Sequence, residues 1–247
     1  MLIFYVYLFI LGIVIGSFLN VCIYRYQTHE AISKGRSHCP KCNHSLAWYD
    51  LIPVFSWLFL KGKCRYCHAK ISKRYPLVEL LTGCAYVLVF YKFQFSLDTI
   101  IYLFVVSILI YAAFVDYDIM IIPDRSHILL IIAGIILMIL HPETIKARLF
   151  GAIVISLPLF IIAYITKGIG YGDVKLMAAI GLVISYKNTI LAALIGIILG
   201  GIVGIYKLKF QNSNKKDEMP LGPHLITGIL ISIYFGNDIV NWYLSLL

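Results

Sequence analysis

The polarity of the chain is organised in blocks. Residues 1–23, 76–91, 97–115, 126–140, 149–166, 174–186, 188–206 and 225–235 are apolar runs with few charges, separated by shorter polar stretches. Several approach the ~20 residues that carry a helix across a bilayer. They are apolar on every face, whereas the strands of a membrane barrel alternate in polarity. Backbone groups in hydrocarbon must be satisfied within their own segment, which leaves helices. The pattern predicts an all-α polytopic membrane protein with about eight transmembrane helices, and assigns nothing to a tail at 238–247. No long-period repeat or low-complexity linker interrupts it.

Composition agrees. Of 247 residues, 61% are hydrophobic and 13% charged, and the mean hydropathy is +0.88, which no soluble core explains. The first run lacks a basic leader and an Ala-Xaa-Ala site, and its positive charge follows it, so it reads as a retained span rather than a cleaved signal. Lys and Arg stay in the cytoplasm, which places the N-terminus outside. Gly12, Gly16 and Asn20 share one face of this run at four-residue intervals, a spacing that lets helices pack closely. Asn20 and Arg25 also stand where they could line a cavity near the inner surface.

The one sizeable polar segment is 26–75. Its nine Lys/Arg against Glu30 and Asp50 supply +7 of the formal net charge of +9. Positive-inside bias explains that more economically than nucleic-acid binding, and no nucleic-acid partner is expected. Within it, Cys39-Pro40-Lys41-Cys42 and Cys64-Arg65-Tyr66-Cys67 are two Cys-Xaa-Xaa-Cys knuckles 21 residues apart. Four thiolates satisfy tetrahedral Zn²⁺ and close a loop that has little core of its own. Disulfides are the alternative, disfavoured in a reducing cytosol. His38, His44 and His68 are nearby substitutes, and Cys22 and Cys84 read as ordinary buried residues. The expected partition is a first transmembrane helix (1–25), a cytoplasmic zinc-knuckle loop (26–75) and a membrane core (76–247).

Two acidic sites stand where apolar runs meet polar stretches. Gly168-Ile169-Gly170-Tyr171-Gly172-Asp173-Val174-Lys175 opens the run at 174–186; alone it reads as a loop ending in an N-cap. Val115-Asp116-Tyr117-Asp118 ends the run at 97–115, and Pro123-Asp124 precedes the next. Carboxylates this close to hydrocarbon are costly and often functional. Counting crossings puts Asp116 and Asp173 on the same cytoplasmic side, with the Lys207, Lys209, Lys215 and Lys216 cluster. There a shared proton would let one carboxylate activate water while the other, protonated, donates to a carbonyl. Asp116 and Asp118 point about 200° apart on a helix, so only one can face a cleft. Asp116, nearest the hydrocarbon, is the expected partner of Asp173. Asp124 reads as an N-cap, Glu79 as a first-turn acid that complements its helix dipole, and Pro220-Leu221-Gly222-Pro223 as a turn and helix start.

Together with Gly16-Ser17-Phe18-Leu19-Asn20-Val21, Arg25, Lys73-Arg74-Tyr75-Pro76-Leu77-Val78-Glu79-Leu80 and Ile122-Pro123, these motifs resemble the prepilin peptidase family, membrane aspartyl proteases of the Gly-Xaa-Gly-Asp type. The resemblance covers most of the chain. It implies a bacterial cytoplasmic-membrane endopeptidase that cleaves the short basic leader of type IV prepilins or pseudopilins. Asp116 and Asp173 would be catalytic, with Gly170, Gly172 and Lys175 in support. It also implies N-methylation of the new terminus with S-adenosylmethionine, and a substrate or methyl-donor region at Asn20, Arg25 and Glu79. The thirteen residues between Arg25 and Cys39 resemble compact members that process competence pseudopilins. The rival class is an ion-coupled transporter, which would show mid-span carboxylates and inverted repeats. A zinc-dependent hydrolase would need an open metal position, which four Cys do not leave.

Overall fold

The computed structural model describes residues 1–31, 35–210 and 219–246; Lys34, Lys215 and Lys216 lie outside the described residues. Regular structure among them is helical: α1 (Leu2–Gln27), α2 (Phe55–Phe59), α3 (Arg74–Phe93), α4 (Leu97–Ile119), α5 (Asp124–Leu140), α6 (Ile145–Val154), α7 (Ser156–Thr166), α8 (Tyr171–Phe210) and α9 (Gly222–Leu244). Among the described residues six stretches are long and apolar enough to cross a membrane: Leu2–Gln27, Arg74–Phe93, Leu97–Ile119, Pro142–Thr166, Tyr171–Phe210 and Gly222–Leu244. The 40 residues of α8 would extend about 60 Å, twice a hydrocarbon core of about 30 Å. Ser185 interrupts it with non-helical torsions, φ 69° and ψ 166°, between the two runs that polarity separates. Residues 238–244, unassigned by the pattern, continue α9.

Internal contacts divide the chain into residues 1–111 and 112–247. In the first unit α1 and α3 meet along the glycine face. A Cβ on Gly12 would lie 2.7 Å from Gly83 Cα, and one on Gly16 would lie 2.7 Å from Glu79 Cα. One turn further on, Asn20 Nδ2 donates to the Tyr75 carbonyl at 2.9 Å. The four-residue spacing is therefore a packing seam that ends in a polar clasp.

In the second unit α8 is the central element. Backbones of α6 and α8 touch at Gly151 and Gly181, α5 meets α8 at Gly134, and α9 meets α8 at Gly196 and Gly228. Small residues permit such approaches where lipid offers no hydrophobic driving force between helices. Arg148 lies inside α6 and is buried, although the polarity pattern places it in an outer loop. Its Nη1 donates to the carbonyls of Leu182 (3.0 Å) and Val183. Both carbonyls lie in the turn just before the break at Ser185.

Candidate active site and metal centre

Asp116 and Asp173 reach one cleft from elements more than fifty residues apart. Helix α4 stays helical through Ile119, so Asp116 sits one turn before its end at 5% exposure, while Asp118, half a turn around, is exposed. Helix α8 starts at Tyr171, which puts Asp173 in its first turn rather than at an N-cap; it is 7% exposed. Both carboxylates line a cleft of about 310 Å³ with Met120, Ile122, Gly170, Gly172 and Lys175. Among the described residues nothing donates to Asp116 Oδ2 or Asp173 Oδ1, though both atoms are buried. Each acid thus keeps one buried oxygen without a donor in a shared cleft, an arrangement in which a proton or a water molecule could be held. Both lie at helix ends, not at mid-span where the transporter reading would place them.

The tightest approach to a carboxylate is not at the glycine loop. A Cβ on Gly172 would make ordinary contact with Ile122, 3.5 Å from its Cβ, and one on Gly170 would lie 3.4 Å from Asp173 Oδ2. At Gly222, the first residue of α9, it would overlap the Asp116 carboxyl, 2.9 Å from the carboxyl carbon. Ile122 fills the space between Gly172 and Gly222, with its Cδ1 3.3 Å from the position of that second Cβ. Gly222 is the helix start read from sequence, and it also admits the carboxylate. Nothing local distinguishes a turn glycine from one facing a side chain a hundred residues away.

Asp124 is not the N-cap of α5, a position held by Pro123. It is the first helical residue, and its Oδ1 accepts from Lys175 Nζ at 2.8 Å, tying α5 to the first turn of α8. The pair is exposed and screened by solvent, so it orients more than it stabilises. Behind it lies His127, buried, with Nδ1 3.6 Å from Asp124 Oδ1. Its position in an otherwise apolar run was the available signal, and the sequence reading passed over it.

The four cysteines form a second centre, in the first unit. Their sulfurs all lie within 4.8 Å of one another, and Cys39 Sγ and Cys67 Sγ are 3.8 Å apart. A tetrahedron with metal–sulfur bonds of about 2.3 Å has edges of about 3.8 Å. The knuckles are built alike: His44 O accepts from Cys39 N (3.0 Å), and Ala69 O accepts from Cys64 N (2.9 Å). In each, the residue after the turn has a positive φ, Asn43 at 55° and His68 at 55°. Desolvation opposes ionisation of Cys39, but the N–H groups of Cys42 and Lys41 and the thiols of Cys64 and Cys42 outweigh it and bring the thiol to about 7. At Cys67 the Ala69 N–H favours the thiolate, yet desolvation and the other three thiols push it to about 11. One thiolate shared among four sulfurs is a donor set that a dication completes. All four are free thiols. His44 stacks on Tyr66, ring centroids 3.7 Å apart, and His38 meets Tyr24 edge-on. The four cysteines can hold a metal ion without the histidines.

The profile described as "Bacterial Peptidase A24 N-terminal domain" matches residues 10–93, and that of "Type IV leader peptidase family" matches residues 103–205. A protein of Bacillus subtilis (strain 168), "Prepilin leader peptidase/N-methyltransferase", is 33% identical over 241 residues, 97% of each chain. This chain belongs to the type IV leader peptidase family. A protein of the same description from Aeromonas salmonicida (strain A449) is 32% identical over 96% of this chain and 92% of its own. One from Myxococcus xanthus (strain DK1622) is 38% identical over 83% of this chain and 63% of its own. No solved structure matches. Nothing in these relatives' names supports the transporter alternative.

The first unit of this leader peptidase family chain holds a second cleft, about 450 Å³, lined by Asn20, Tyr24, Arg25, Trp57, Tyr75 and Glu79 among others. Glu79 is not in the first turn of α3 and does not serve its dipole; it is buried, and Oε2 accepts from Val54 N at 2.7 Å. Arg25 holds the segment that follows α1, donating to the carbonyls of Ala31 (3.1 Å) and Gly35 (2.9 Å). The structure places Asn20, Arg25 and Glu79 around one cleft. They form a cleft of their own within residues 1–111.

Proposed function

We propose that the chain is a membrane aspartic endopeptidase that removes the basic leader of type IV prepilins or pseudopilins and then methylates the new N-terminus. The observation that carries this is the convergence of Asp116 and Asp173, both buried and each with one carboxyl oxygen that lacks a donor, on one cleft beside Gly222. In the reaction one carboxylate takes a proton from water, and the hydroxide adds to the scissile carbonyl. The other carboxyl gives its proton to the carbonyl oxygen. The tetrahedral intermediate collapses as the amide C–N bond breaks and the leaving amine takes the proton first removed from water. Gly170 and Gly172 leave room beside Asp173, and Lys175 fixes its turn through Asp124.

The cysteine cluster fits structural Zn²⁺, with four thiolates and no open position. The second cleft fits the methyl donor, S-adenosylmethionine, which supplies an electrophilic methyl group when bound. Asn20 Oδ1 is buried there without a donor, and aromatic rings of Tyr24, Trp57 and Tyr75 face the space with Glu79 and Arg25. The six candidate spans, with the 17-residue α5 and the two halves of α8, support the count of eight. Positive-inside bias supports an outside N-terminus, aspartates at the cytoplasmic face and a location in the bacterial plasma membrane. The near-equal extent of the Bacillus subtilis alignment, 97% of each chain, favours a compact member of the family.

The test is cleavage of a prepilin peptide by purified protein in detergent. Asp116→Asn and Asp173→Asn should each abolish it, while Asp118→Asn retains much of it. An active Asp116→Asn beside a dead Asp118→Asn would overturn the assignment. Adding labelled methyl donor and an already cleaved peptide to Asp173→Asn tests methylation separately, since the two clefts share no lining residue.

A further inference from the structure

The Cys-rich segment carries an apolar surface that no described residue covers. Trp48 is 78% exposed, Phe55 58%, Leu58 56% and Phe59 82%. Four large apolar side chains exposed within twelve residues, three of them on the short helix α2 of a polar loop, mark a surface that meets something other than water.

Its depth is fixed by hydrogen bonds. Val54, immediately before α2, donates its N–H to Glu79 Oε2 at 2.7 Å. Glu79 is the sixth residue of α3, about 8 Å along the axis from the first at 1.5 Å per residue. Val54 has φ 63°, a conformation a β-branched residue adopts only when held. Trp57 Nε1 donates to Ile71 O at 3.3 Å, which ties the other flank of α2 to the approach of α3. Helix α2 is therefore drawn alongside the first two turns of a membrane-crossing helix. That is the level at which such a helix passes through the lipid headgroups.

Charge completes the pattern. Lys61 and Lys63, both exposed, follow α2 directly, and Lys70 and Lys73 are also exposed. The segment's acid, Asp50, is taken up by Arg65 at 2.7 Å and by Tyr66 at 3.1 Å. Aromatic and leucine side chains with lysines beside them are the composition of elements lying in a membrane interface, which bury their apolar face by roughly 5–10 Å. The cations meet anionic headgroups.

We propose that Trp48, Phe55, Leu58 and Phe59 are seated in the headgroup layer of the bilayer that α1 and α3 cross, with Lys61 and Lys63 against lipid phosphates. The Cys-rich segment is then a membrane-anchored platform, and the second cleft opens at the lipid surface rather than in bulk water. The anchor does not depend on the reaction assigned above.

Photocrosslinking tests it. p-Benzoylphenylalanine replaces Phe59, or separately Leu58, in full-length protein in nanodiscs of phosphatidylethanolamine and phosphatidylglycerol, with and without prepilin peptide. After irradiation, mass spectrometry should find phospholipid adducts at both positions. Phosphatidylglycerol should be captured beyond its share of the bilayer, and that excess should be lost in Lys61→Gln/Lys63→Gln. Adducts only with a second copy of the chain, or only with the prepilin, would overturn the proposal, as would no adduct at either position. Capture of the two lipids in proportion to their abundance would remove the role given to the lysines.

Discussion

Gly222→Ala probes the geometry of the aspartate site with a single methyl group. The added Cβ would stand 2.9 Å from the Asp116 carboxyl carbon, where ordinary contact begins at 3.4 Å. The new methyl group has no room on its other side either, because Ile122 Cδ1 lies only 3.3 Å from the same Cβ position. Either Asp116 or the start of α9 must shift by roughly half an ångström to one ångström. A displacement of about 1 Å in a catalytic constellation costs on the order of 10²-fold in rate, about 3 kcal/mol in transition-state stabilisation. Folding should not suffer comparably. Gly222 opens a helix, and there Ala is intrinsically preferred to Gly by up to about 1 kcal/mol. The assay is kcat/KM for cleavage of a prepilin peptide, read beside the melting temperature of the same sample. Gly172→Ala is the internal control, since its Cβ meets Ile122 at an ordinary 3.5 Å, and it should lose far less. If Gly222→Ala cleaves within about threefold of the parent, a difference near 0.6 kcal/mol, the carboxyl is not held where the structure puts it and the reasoning fails.

Three further outcomes are expected. Protein purified under reducing conditions without chelator should contain about one Zn²⁺ per chain; Cys39→Ser or Cys64→Ser should lower metal content and melting temperature without moving the cleavage position, and a metal-free parent would refute the four-thiolate site. Desolvation opposes ionisation of Asp50, but bonds from Arg65, the Ala47 N–H and Tyr66 outweigh it and hold its carboxyl below the usual range. Its contribution is therefore fully present above the unfolded value of about 3.9 and lost as pH falls through the lower folded value. Because Arg65 is half exposed and solvent screens the pair, Asp50→Asn should lower the melting temperature only slightly at neutral pH, and the difference from the parent should shrink in acid; a gap that widens below pH 4 would contradict the sign. Arg148→Met leaves the Leu182 and Val183 carbonyls without their guanidinium donor, a loss of about 1–3 kcal/mol per group, so an unchanged melting temperature would show that the break at Ser185 does not rely on it.

What the sequence determines by itself is whatever depends on composition and on spacing along one element. Apolar runs dictate helices because a bilayer tolerates little else. Two Cys-Xaa-Xaa-Cys pairs already specify four ligands, since each knuckle is a local turn. The 200° rule separates Asp116 from Asp118 once α4 is known to continue past them, and the four-residue interval of Gly12, Gly16 and Asn20 is legible because one helix face makes one seam. Tertiary structure decides what depends on which distant backbone stands opposite. Asp124 pairs with Lys175 instead of capping its helix, and Glu79 holds Val54 instead of complementing a dipole. Arg148 reaches carbonyls thirty-four residues away because α6 and α8 touch through glycine. Gly222, which looks like a turn residue, is required small by a carboxylate more than a hundred residues earlier. A glycine's role is set by what a side chain there would strike, and that neighbour is fixed only when the helices have packed.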